Sequence, residues 1–243
     1  MIAGVLIVME RAPLGFGIRW STQSGDEGRG NANHTANWYK LDDGREFLIH
    51  SQSKGTHQLD DWEKVYDRPK CWGVIVVPLG YTQDEHWDVL TKAREYEGMS
   101  YDHAAIAKHF LDGVAGKLFR RPIYFFRRFR LKFWKRTDRY NICSWLSCHT
   151  WGSIGHRITG MIRGKLRVRW RGSVPQTWRE LKKGLLDCEL VAPNDWERDV
   201  FLHSPDAYRV IREIGRRPKD LGPEWVHKIA SDLEAGRDDL IAA

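Results

Sequence analysis

The chain has 243 residues, 42% of them hydrophobic and 29% charged, with a formal net charge of +7. That length can bury a core in one large domain or in a domain with an appendage, and the composition excludes a disordered chain. No apolar run nears the roughly 20 residues that a membrane-spanning helix needs, and the basic excess favours an anionic partner: nucleic acid, acidic lipid or an acidic cell-wall polymer.

"MIAGVLIVMERAPLG" opens apolar but lacks the basic leader and cleavage site of a secretory signal, so it reads as a buried first strand. The expected location is therefore cytoplasmic, with delivery to the cell wall by another route as the alternative. "GFGIRWSTQ" (15–23) and "HTANWYKL" (34–41) read as strands. The second passes through the polar turn "DDGRE" into "FLIHSQ" (47–52), which is a hairpin pattern. "CWGVIVVPL" (71–79) is a β-branched run, hence a buried strand.

The period then changes. Thr82 and Glu85 have capping-box spacing and predict a helix ending near Gly98. Residues 101–119 predict a second helix, with Ile106 and Phe110 one turn apart, and residues 143–151 start a third. "LRVRWRG" (166–172) suits a strand. "SPDAYRVIREIG" (204–215) predicts a helix capped by Ser204 with Pro205 at its first position. "GPEWVHKIASDLEAG" (222–236) repeats that grammar, with Trp225, Ile229 and Leu233 on one face. The expectation is an α+β fold, an antiparallel sheet packed against helices over residues 1–203, followed by a C-terminal helical extension over 204–243.

Four cysteines, Cys71, Cys143, Cys148 and Cys188, are too sparse for a disulfide framework, so reduced thiols are expected. "YNICSWLSCHTWG" (140–152) sets Cys143 at the start of a helix. A cysteine attacks a carbonyl as its thiolate, which a helix N-terminus and a nearby imidazole favour. The chain has 10 histidines, and separation in sequence does not pair any of them with Cys143. A metal reading of Cys143, Cys148 and His149 lacks the short spacing of structural zinc sites. No metal and no cofactor are expected.

Several motifs in order resemble the circularly permuted, papain-like cysteine hydrolases, the permuted branch of the NlpC superfamily that includes the lecithin–retinol acyltransferase group. They are "IRWSTQS" (18–24), "NHTANWY" (33–39), "IHSQSKGT" with His50 five residues before Gly55, "GMSYD" (98–102), "NICSWL", and "APNDWERDVFLH" (192–203). The resemblance spans residues 10–203 and implies a permuted papain-like fold. It makes Cys143 the nucleophile, His34 its base and His50 the orienting third member, while His57 lies beyond the Gly55 turn and is the poorer choice. Tyr101 is a packing residue whose hydroxyl could line the substrate site, and the Cys143 N–H is the natural oxyanion donor.

Between "YD" and the cysteine motif lies "KLFRRPIYFFRRFRLKFWKR" (117–136), with nine Lys or Arg, seven aromatics and no acid. Arg127, Arg128 and Arg130 make it a candidate substrate or membrane contact. A nucleic-acid surface is the alternative, since alternating Arg and Phe suit phosphates and bases, and a solvated face packed on the domain is the plain reading. The expected activity is a thiol hydrolase acting on an amide or ester, first of all in a peptidoglycan-type peptide. A lipid acyl hydrolase or acyltransferase at an anionic membrane surface comes next, and a non-catalytic binding protein using 117–136 is the rival.

Overall fold

In a computed structural model of the chain, the described residues are 1–11, 32–118, 140–156, 193–203 and 207–219, with positions 15, 17, 18, 158, 188, 191, 227, 229–231, 233 and 234. The fold is α+β. Strands β1 (Ile2–Glu10), β2 (His34–Lys40), β3 (Glu46–Gln52), β4 (Gly55–Leu59), β5 (Cys71–Pro78) and β8 (Tyr208–Gly215) form one sheet in the order β4-β3-β2-β1-β5-β8. Every neighbouring pair in it is antiparallel. Two short strands, β6 (Ser100–Tyr101) and β7 (Tyr140–Asn141), pair in parallel beside it. The helices are α1 (Trp62–Tyr66), α2 (Gln83–Arg94), α3 (His103–Leu118), α4 (Cys143–Gly152) and α5 (Pro193–His203).

The sheet is buried on both faces. Ala3, Val5, Ile7, Tyr39, Ile49, Val74 and Val76 meet Val89 and Leu90 of α2, Leu146 of α4 and Trp196 of α5. Leu6, Val8, Ala36, Trp38, Leu48 and Ile75 meet Trp62 and Tyr66 of α1 on the opposite face. β1 lies centrally, which is why its sequence is a continuous apolar run and not an alternating one. Gly4 and Gly73 suit this packing: a Cβ would stand 2.7 Å from the Val76 carbonyl at Gly4 and 2.8 Å from the Ile7 carbonyl at Gly73. The expected hairpin over 34–52 forms, and α2 carries the full capping box between Thr82 and Glu85.

Three expectations change. The helix expected over 204–215 is strand β8, paired with β5 from Trp72↔Gly215 to Pro78↔Tyr208. Its register skips Ile211, so the side chains change face there: Tyr208 and Val210 join the helix-rich core and Ile214 the other. The extra residue erases the period of two that would mark a strand. The segment is therefore part of the sheet, and the domain does not stop at 203. Of the second expected helix, positions 227, 229–231, 233 and 234 are helical, and Ile229 is buried in the main core with Leu233 against it.

Second, Gly15, Gly17 and Ile18 are helical where a strand was expected. The Asn33 side chain accepts from the Glu10 N–H at 3.0 Å and donates to the Glu10 carbonyl at 2.7 Å. A Cβ on Gly15 would clash with that same Asn33 amide at 2.6 Å, so Gly15 lies close against the end of β1. Third, Cys148 and Cys188 form a disulfide across 40 residues, leaving Cys71 and Cys143 free. Sparse cysteines argue against a framework of bridges, but a single clip needs only two. The strand expected at 166–172 and Arg127, Arg128 and Arg130 lie outside the described residues.

Candidate active site

The β2–β3 ladder runs from Lys40↔Glu46 to Asn37↔Ile49 and stops there, although β2 begins at His34 and β3 continues to Gln52. The two strands therefore fork. Along β2, Thr35 and Asn37 face α4: Ser147 donates to the Thr35 hydroxyl at 3.4 Å and the Asn37 amide donates to Thr150 at 3.3 Å. His34, Ala36 and Trp38 alternate to the other face, where the His34 ring stacks on Tyr66 with 5.7 Å between centroids.

Cys143 arrives at this fork as the first residue of α4, after Ile142 in extended conformation. Its thiol is free and buried. With the ladder ended, the backbone N–H and hydroxyl of Thr35 are available to the sulfur, which also receives the N–H groups of Ser144 and of Cys143 itself. These donors and the helix N-terminus favour a thiolate. Burial opposes them more strongly and raises the thiol above its usual range. The resting sulfur is therefore protonated at neutral pH.

The Tyr101 hydroxyl donates to the Cys143 sulfur, and burial with the nearby sulfur holds that phenol protonated. Gly55 positions it. This residue has φ of +95°, and a Cβ there would meet the Met99 carbonyl at 2.6 Å. The close approach lets Thr56 donate to Met99 and Gly98 donate to Thr56, both at 2.8 Å, which docks residues 98–101 on β4. Asp102, next in the chain, caps the start of α3 through the Ala105 N–H at 2.9 Å.

On the imidazole side, His34 is half-buried, and its Nε2 is closed off without a hydrogen-bond partner. Desolvation lowers its pKa to about 4, so the ring is neutral and free of a proton on one nitrogen at pH 7. His50 stands edge-on at 5.9 Å between centroids. It does not orient His34 by a hydrogen bond, because both of its nitrogens are engaged elsewhere: Nδ1 with the Tyr66 hydroxyl at 2.8 Å and Nε2 with His57 Nε2 at 3.0 Å.

The direction of that chain follows from its ends. His57 Nδ1 donates to the Gly55 carbonyl at 3.2 Å, so its Nε2 accepts from His50. His50 Nδ1 then accepts from Tyr66, whose oxygen accepts from the Gln52 amide at 2.6 Å. Burial, reinforced by the neighbouring His34 and His57 rings, takes the His50 pKa down to about 2. Tyr66 is the hub: it stacks on His34, and the Cys143 sulfur is close enough to help keep its hydroxyl protonated after burial has done most of that.

The structure therefore sets Tyr101 and Tyr66 near Cys143 and packs His34 and His50 against Tyr66, while His50 makes no hydrogen bond to His34. The sequence reading missed Thr35, Tyr66 and Gln52, and it undervalued His57. For His57 a signal existed: a two-residue turn at Ser53–Lys54 puts residue 57 directly across from residue 50, and those two are register partners. For Tyr66 there was none. Cys148 cannot serve as a metal ligand because it is disulfide-bonded, and His149 stacks on Trp145 at 3.9 Å between centroids. Among the described residues no group of three metal-ligating side chains comes together. No helix of the described residues is long and apolar enough to cross a membrane. Compared with protein-family models, curated proteins and solved structures, the chain finds no match.

Proposed function

We propose that this protein is a thiol hydrolase that opens an amide or ester carbonyl through an acyl-enzyme on Cys143, with His34 as its base. One observation carries the reading. A free thiol at the first position of a helix receives the Thr35 N–H, and the residue before Thr35 is an imidazole held neutral with a sequestered, unpartnered nitrogen. Buried polar atoms are almost always paired, and an unpaired one costs about 1–3 kcal/mol. Such a cost is tolerated where a group has work to do.

In the reaction the thiol proton passes to His34 as sulfur bonds to the carbonyl carbon and the carbonyl electrons move onto oxygen. The N–H groups at the start of α4 and of Thr35, which face the resting sulfur, are the donors at hand for that oxyanion. Collapse breaks the carbon–nitrogen or carbon–oxygen bond, and the leaving group takes the proton from His34. Water then attacks the thioester, giving a proton to His34, and the carbon–sulfur bond breaks to return the thiol. The desolvated imidazole is unprotonated at rest, so it is free to accept a proton, and once protonated it gives the proton up readily. A peptidoglycan-type peptide is the first substrate class to try and a lipid ester the second.

The test is to trap the intermediate. An activated ester should leave its acyl group on Cys143, seen by mass mapping of the peptide, and Cys143→Ala should leave no acylated peptide. Acylation confined to Cys71, or hydrolysis unchanged by Cys143→Ala, would overturn the reading.

A further inference from the structure

Helix α3 is apolar on its outward face as well as its inward one. Its inward side puts Ala105 and Ile106 against the main core. Phe110, Leu111, Val114 and Leu118 point outward, at 43%, 45%, 38% and 76% exposure, and Ala107 is exposed beside them. At 3.6 residues per turn these five fall within about 100° of arc, a continuous apolar stripe on the solvent side. Scattered surface leucines need no explanation, but a contiguous apolar stripe marks a contact surface.

The sequence decides which partner fits. Residues 117–136, which continue directly from this helix, hold nine of the 39 basic residues and none of the 32 acidic ones, so the rest of the chain carries 30 basic against 32 acidic. The whole positive excess of the protein thus lies in the 20 residues that run on in sequence from the apolar stripe. Apolar side chains flanked by concentrated Lys and Arg are the recognition chemistry of an anionic lipid surface, acyl chains below and phosphates above. A nucleic acid would use the basic residues and aromatics, but it has no use for exposed Leu111, Val114 and Leu118, which neither stack on bases nor pair with phosphates.

We infer that the outward face of α3 docks on an anionic bilayer surface. The inference goes beyond the hydrolase reading and stands without it. If both hold, docking brings the lipid close to the chemistry, because α3 begins two residues after Tyr101, whose hydroxyl meets Cys143.

The test uses the full chain and sedimentation with vesicles of phosphatidylcholine alone or mixed with phosphatidylglycerol. The protein should pellet with the mixed vesicles, far less with phosphatidylcholine alone, and less again as salt rises. Replacing Leu111→Ser and Leu118→Ser together should lower partitioning roughly tenfold or more, since each leucine loses its burial in the acyl region. Both side chains are exposed, so the thermal midpoint should stay put and the loss is not one of folding. Cys143→Ala should partition like the unsubstituted chain, which keeps this result separate from the fate of the hydrolase reading. Equal partitioning of the double variant, no partitioning of the unsubstituted chain on anionic vesicles, or binding to a single-stranded oligonucleotide without binding to vesicles would each overturn the inference.

Discussion

Two histidines in this protein, His156 and His34, have opposite surroundings. His156 has both ring nitrogens satisfied: Nδ1 with the Tyr81 hydroxyl and Nε2 with the Tyr208 hydroxyl, each at 2.9 Å, and Tyr208 in turn donates to buried Asp199. The ring also stacks on Trp196 at 5.7 Å. His34 has a stacking partner in Tyr66 at the same 5.7 Å, yet its Nε2 has no hydrogen-bond partner. One imidazole joins β8, α5 and the Tyr81 loop into a single body. The other is desolvated and left with capacity to spare against Tyr66, which also feels the Cys143 sulfur. Satisfied networks hold a core in one arrangement, whereas an incomplete one in a cleft is where chemistry is expected.

The widest separation between the two should come from paired substitutions. His34→Ala should cut hydrolysis of an activated ester by about 10²–10⁴-fold while moving the thermal midpoint little. His156→Ala should do the reverse, costing on the order of 3 kcal/mol in a denaturant titration through the cavity and the stranded tyrosine hydroxyls, with the folded fraction as active as before. Equal effects on both readouts would dissolve the distinction.

Acid sharpens the comparison further. The folded pKa of His34, about 4, is below the unfolded value of 6.5. Between those values the unfolded chain binds more protons, so stability rises with pH across that window and is lost on acidification. The loss attached to His34 is on the order of 3 kcal/mol when pH reaches about 4, and His50 adds its own slope over the same window and below it. His34→Gln should make the pH 4–6.5 part of the stability curve shallower without abolishing it; an unchanged slope would mean that His34 is not desolvated.

A smaller effect is expected at the hub. Tyr66→Phe keeps the ring against His34 but removes the donor to His50 and the acceptor for Gln52. Stability should fall by about 1–3 kcal/mol, and hydrolysis should fall much less than for His34→Ala. Tyr66→Leu, which removes the stacking ring as well, should bring hydrolysis down toward the His34→Ala level.

The sequence revealed what depends on local pattern. The hairpin over 34–52, the strand 71–78 and the capped helix after Thr82 were all legible, because polar turns, β-branched runs and capping residues act on their immediate neighbours. Strand β8 was not, since the bulge at Ile211 breaks its alternation and Ser204-Pro205 mimics a helix start; only the open edge of β5 makes it a strand. The site divides in the same way. Cys143 and His34 carried their own signals, but the directed chain from Gln52 through Tyr66 and His50 to His57 exists only once α1 is folded against the sheet. His50 looked like an orienting residue because its spacing to Gly55 is right, and spacing does not tell where its nitrogens point.

The central claim is that Cys143 and His34 act as one unit on a carbonyl. A double-mutant cycle on hydrolysis of an activated ester measures this most directly, using Cys143→Ala, His34→Ala and the two together. A shared mechanism predicts that the double variant loses no more rate than Cys143→Ala alone. Losses that add in free energy, with His34→Ala as damaging without the thiol as with it, would contradict it.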